Sequence, residues 1–161
     1  MSKRSIFVLI FVLAMSVLSF KGFFRVENSD ISEPLTNREV ALLCTTDMAT
    51  EFHIHPNLTI IINGQKQEIP PNIGINVTCM NSIHTHEGGG VIHVESPIQR
   101  DFTLSDFFAV WGKPFDSQNI LSFQTDDTHT IVVSVNGEIV DTFENTVLRD
   151  KDDIVISYQS K

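Results

Sequence analysis

Five of the six histidines fall in three short pieces: His53-Ile54-His55, His84-Thr85-His86 and Ile92-His93-Val94. On a strand, residues two apart share a face, so each His-x-His step projects two imidazoles to one side, a chelating arrangement for a transition metal. The stretch Ser82 to Glu95, SIHTHEGGGVIHVE, reads as a β-hairpin around a glycine-rich turn. Pairing that sets Glu87 against Gly90 puts His84 opposite His93 and points His84, His86, His93 and Glu95 the same way. Ile83, Thr85, Ile92 and Val94 then face a core. A loop one residue longer or shorter reverses the parity and splits the histidines. Three imidazoles supply three ligands, and a water or one of His53 and His55 supplies the fourth. Glu95 serves as a further ligand or as an acceptor that orients an imidazole. Imidazoles suit Zn²⁺ and Cu²⁺ alike, so the expected cofactor is a divalent transition metal, zinc or copper. The competing reading is that histidines on a solvated strand face hold nothing. His129, in Asp126-Asp127-Thr128-His129, reads as a surface residue. Gly88 to Gly90 read as a turn, because neither a lysine nor a helix start follows to cradle a phosphate.

The elements that must position these residues are mostly strands. Glu51 to Ile62 reads as a strand interrupted at Pro56, running into the Asn63-Gly64 turn signal, with Gln65 to Ile69 returning. Leu58, Ile60, Ile62 and Ile69 share its core face, whereas His53 and His55 have the opposite parity if Pro56 introduces no bulge. Asn37 to Leu43 fits a short helix or a first strand equally. Leu104, Phe107, Phe108 and Trp111 follow the spacing of one buried helix face. Thr103 is a good N-cap, Phe102 and Phe107 form a hydrophobic staple, and Gly112 and Pro114 stop the helix. The last third is β: Asn119 to Gln124, a hairpin about Asn136-Gly137, and a final strand from Ile154 to Tyr158.

This order predicts an α+β fold, mostly antiparallel hairpins with one short amphipathic helix packed on the sheet. The ending, Val135-Asn136-Gly137-Glu138 followed by Val147-Leu148-Arg149-Asp150-Lys151-Asp152-Asp153-Ile154-Val155-Ile156, resembles the tail of β-grasp domains. That implies a β-grasp-like C-terminal part. Sulfur carriers of that fold end in Gly-Gly and this chain ends Gln159-Ser160-Lys161, so a carrier role is not expected. The text HTHEGGGVIHVE (84–95) with the upstream His-x-His, and FTLSDFFAVWG (102–112), resembles a group of uncharacterised exported prokaryotic proteins. The resemblance implies that about His53 to Gly112 is one unit, and implies no activity. The His-x-His steps are also similar to the metal sites of α-type carbonic anhydrases and of cupins, with departures. The anhydrases take their third histidine from a distant strand, whereas His93 is seven residues past His86. Cupins place a glutamate a few residues past the pair, whereas Glu87 follows His86 directly.

Charge and compartment bound the function. Lys3 and Arg4 precede an uncharged run from Ser5 to Phe20, 16 residues long. The expected organisation is a signal peptide or membrane anchor over residues 1–25, a tether over 26–40, and one extracytoplasmic β-rich domain over 41–161. By the flanking charges the domain faces outside the cell membrane, or is secreted if the segment is cleaved. No acidic residue precedes Glu27, and four of the 11 basic residues do. The remainder therefore carries 7 basic against 20 acidic residues, a formal charge of −13. That surface repels nucleic acid and anionic lipid and attracts cations. Cys44 and Cys79 are an even pair outside the cytoplasm, which favours a disulfide; the alternative makes Cys79 a ligand. Asn57-Leu58-Thr59 and Asn76-Val77-Thr78 match the glycosylation sequon, a pattern frequent by chance. The partners implied are a membrane through the N-terminal segment and a metal ion. Three classes follow: a module that captures Zn²⁺ or Cu²⁺, a zinc enzyme activating water with Glu87 or Glu95 as proton acceptor, and a non-metal interaction domain.

Overall fold

The computed structural model describes residues 34–46 and 50–161, so the expected leader or anchor lies outside the described residues, as does most of the expected tether. Among the described residues no helix is long and apolar enough to cross a membrane. The elements run α1 (Asn37–Leu42), β1 (Cys44–Thr45), β2 (Phe52–Ile54), β3 (Asn57–Ile62), β4 (Gln65–Lys66), β5 (Met80–Asn81), β6 (Ile83–His84) and β7 (His93–Ser96). They continue with α2 (Leu104–Trp111), β8 (Asn119–Ile120), β9 (Phe123–Gln124), β10 (His129–Val135), β11 (Glu138–Val140), a 3₁₀ turn (Phe143–Asn145) and β12 (Asp153–Ser160).

The α+β class expected from the sequence is corrected: the fold is mostly β, built from several sheets. Twelve strands lie in four sheets, against two α-helices of 6 and 8 residues among the described residues. The physical reason is that Leu58, Ile60, Val133, Ile154 and Ile156 carry the core on period-2 faces, and among the described residues only α2 has a sustained apolar helical stripe. A single helix on one sheet is corrected as well. Asn37–Leu42 is a second helix, held by a capping box in which the Glu39 N–H donates to Thr36 Oγ1 at 3.2 Å and the Thr36 N–H donates to Glu39 Oε2 at 2.8 Å.

The largest sheet has the order β11-β10-β12-β3-β4. Its central strand, β12, runs antiparallel to β10 and parallel to β3. The register sets Ile154 beside Leu58 and Ile156 beside both Ile60 and Val133, one apolar layer across three strands. Both Asn-Gly turns carry the positive φ that two-residue hairpins require: Asn63 51°, Gly64 80°, Asn136 53° and Gly137 87°.

Helix α2 buries Leu104, Phe107 and Phe108, with Phe102 fully covered just before its cap. The Thr103 N–H donates to Asp106 Oδ2 at 3.0 Å, and Gly112 ends the helix in the left-handed region at φ 69°. Arg38 of α1 reaches the buried Asp106 at 3.1 Å, which ties the two helices together. Cys44 and Cys79 are joined in a disulfide that anchors β1 to the start of β5.

Candidate metal centre

The smaller sheet, β2-β7-β6, carries the histidines, with β7 in the middle. On one flank β6 pairs with β7 so that Ile83 faces Val94 and His84 faces His93, the parity that keeps the imidazoles together. On the other flank β2 pairs His53 with Glu95 and Ile54 with Val94. Continuing that register by one position sets His55 beside His93. The opposite face is the core: Ile83, Ile92 and Val94 are fully buried, as is Thr85. Beyond His84 and His93 the hairpin arms part. Val91 bridges to Asn57 instead, and the Leu58 N–H donates to the Gly90 carbonyl at 2.8 Å. The glycine-rich turn is thereby strapped to β3. A Cβ on Gly90 would stand 2.0 Å from the Leu58 carbonyl oxygen, so only glycine permits this approach.

All five paired-text histidines converge. His53 and His55 lie 4.4 Å apart by ring centroids, His84 and His86 4.8 Å, and His93 lies 4.7 Å from both His55 and His86. Two triads have ligand atoms within 4.8 Å of one another: His84, His86 and His93 on one side, and His53, His55 and His93 on the other. His84 Nε2 and His86 Nε2 are 3.2 Å apart. Two nitrogens on a tetrahedral zinc, with bonds of about 2.0–2.1 Å, are separated by roughly 3.3 Å. The pair already stands at chelating distance.

Neighbouring groups set the ligands' state. His84 Nδ1 lies 3.0 Å from the Asn81 carbonyl, which can only accept, so Nδ1–H donates and Nε2 keeps its lone pair for the cluster. Asn81 is itself locked, its side-chain amide donating to the carbonyls of Ala41 at 3.0 Å and Leu43 at 3.3 Å. Burial holds the His84 imidazole below its ordinary pKa, against the Asn81 carbonyl, which raises it. His93 falls to about 4, first through burial and then through repulsion from His86, His55, His84 and His53. Both rings are therefore neutral near pH 7, the form that binds a metal. His93 Nδ1 is buried with no hydrogen-bond partner among the described residues.

Glu95 belongs to neither triad and accepts from His53 Nε2 at 3.1 Å, which orients that ring. Glu87 is exposed and is likewise in neither triad. Cys79 is in the disulfide, which removes it as a ligand. His129 stands apart, stacked on Tyr158 at 5.0 Å and hydrogen-bonded with Thr128. Two groups escaped the sequence reading. One is the Asn81 carbonyl, for which no side-chain signal exists. The other is Asp150, whose Oδ1 accepts from the His55 backbone N–H at 3.0 Å across 95 positions of chain.

No family model, curated protein or solved structure matches the chain. The described residues carry histidine triads able to hold a metal ion, in a β-rich disulfide-bonded domain.

Proposed function

We propose that this is an extracytoplasmic protein, attached to a cell membrane by its N-terminal hydrophobic run or released by its cleavage, that captures zinc or copper on its histidine cluster. The observation that carries the reading is the convergence of His84, His86 and His93 around a buried ring whose tautomer the Asn81 carbonyl dictates. A merely solvated strand face would not bury His84 completely or aim its free nitrogen at a second imidazole. The disulfide supports an oxidising compartment. The acidic surface favours cation capture. Capture is favoured over hydrolysis because no nucleophile motif accompanies the histidines, and Glu95, one candidate proton acceptor, is already engaged by His53.

Titration of the metal-free protein, purified without a histidine tag, with Zn²⁺ and Cu²⁺ tests this. The protein is expected to bind, and the His84→Ala, His86→Ala, His93→Ala triple variant to lose that binding. Affinity should weaken as the pH falls towards 4, where protons reach the His93 ring. Equal binding by the variant would refute the metal reading. Protease added to intact cells should degrade the domain, and protection until lysis would refute its placement outside.

A further inference from the structure

The two triads share one residue, His93, and that sharing has chemical content. His93 sits on the central strand of the three-stranded sheet, with His84 and His86 towards β6 and His53 and His55 towards β2. Among the described residues each flank completes three ligands only by including His93, and the two flanking pairs do not join each other in a single group. An ion in one triad thus leaves the other pair of imidazoles without a role. An imidazole has two nitrogens whose lone pairs diverge across the ring, so one ring can face two ions roughly 6 Å apart at metal–nitrogen bonds of about 2.0 Å. In His93 the Nδ1 atom is buried and lacks a hydrogen-bond partner among the described residues, a state that native interiors rarely tolerate. The outer flank is equipped as a second site. His53 and His55 are exposed, Glu95 orients the His53 ring, and Asp150 fixes the His55 backbone.

We propose that the cluster is a two-ion centre, one divalent copper or zinc in each histidine triad, with the His93 ring bridging them through both nitrogens. The proposal rests on the reading that the cluster binds metal at all, and extends it to a second ion and a shared ligand. Neutral His93 carries one ring proton. The first ion takes the lone pair of the unprotonated nitrogen. The second replaces the N–H bond by an N–metal bond and sends the proton to solvent, leaving an imidazolate between two cations. Nothing is oxidised or reduced.

The test uses the full-length protein in detergent, stripped with chelator and titrated with Cu²⁺, followed by native mass spectrometry and electron paramagnetic resonance. Two ions are expected per chain. The spectroscopic signal should grow to about one spin per chain with the first equivalent, then fall towards zero as the second couples through the ring. The His53→Ala, His55→Ala variant removes only exposed side chains, so its fold is expected to survive. It should bind one ion and keep the full uncoupled signal. His93→Gln should abolish coupling at any loading. Saturation of the wild type at one ion overturns the two-ion centre while leaving metal binding intact, and no bound ion refutes metal binding itself. Two ions with undiminished, uncoupled signals overturn the shared ligand.

Discussion

Acidifying the metal-free protein should destabilise it through His93 before its carboxylates respond. In the unfolded chain this imidazole has its ordinary pKa of 6.5; in the folded protein it falls to about 4, pushed down by burial and by four neighbouring imidazoles. Between those values the unfolded chain holds a proton that the folded chain refuses, so stability rises with pH across the window. The contribution is fully present above pH 6.5 and lost as the pH falls towards 4. At about 1.4 kcal/mol per tenfold, the gap corresponds to a ceiling of about 3 kcal/mol, and solvent at the half-buried ring lowers it to about 2 kcal/mol. His84, also held below its ordinary value by burial, acts in the same direction. Carboxylates titrate mainly below pH 5, so the interval from about 5 to 6.5 isolates the imidazoles. Urea unfolding in the presence of chelator, followed by fluorescence of the sole tryptophan, Trp111, gives stability at each pH. The His93→Gln variant should show a flatter dependence in that interval. An equal slope in both proteins, or a His93 midpoint near 6.5 by NMR titration, would refute the reasoning.

Other outcomes follow from particular contacts. Asn81→Ala removes a buried donation to the Ala41 carbonyl and a partly buried one to the Leu43 carbonyl, and should destabilise by about 1–3 kcal/mol in chemical denaturation while weakening metal affinity through a misplaced His84. Gly90→Ala forces a Cβ into the Leu58 carbonyl at φ +108°, and should destabilise by more than about 2 kcal/mol. Gly89→Ala, with open space at a similar φ, should be milder in the same thermal melts, and equal effects would show that the strap to β3 is dispensable. Reducing the Cys44–Cys79 disulfide, which closes a sequence separation of 35, should lower stability by about 3–4 kcal/mol by calorimetry.

What the sequence disclosed was local. The hairpin parity that sets His84 against His93, the staple and stop signals of α2, and the two Asn-Gly turns all depend on residues a few positions apart. The capping box at Thr36 and Glu39 is equally local, yet from sequence Asn37 to Leu43 stays open between helix and strand, and the structure makes Asn37–Leu42 a helix. What stayed hidden is non-local pairing. That His53 or His55 could complete the site is expected from parity alone; the strand pairing that lays them beside Glu95 and His93 is not written in the residues. Nor does the final strand announce a parallel partner 96 positions upstream, since a strand's period-2 pattern is the same for any neighbour. The backbone groups that orient the ligands, the Asn81 carbonyl and the His55 amide, carry no residue-type signal at all.

The central position of β12 has a consequence for how the chain is made. This strand separates β3 from β10, yet it follows both in the sequence. Until residues 153–160 have been synthesised, Leu58, Ile60 and Val133 lack the Ile154 and Ile156 that cover their flanks, and two strand edges stay open to any other chain. The loop that must close is long, so its entropy is spent before the contacts form, and the large sheet should assemble late and slowly. The histidine strands lie between residues 52 and 96, all upstream of that step. Ligands are thus present on a chain that has not finished folding, and an ion taken up early would meet an aggregation-prone intermediate. Withholding metal until the last strand is in place would favour a homogeneous product.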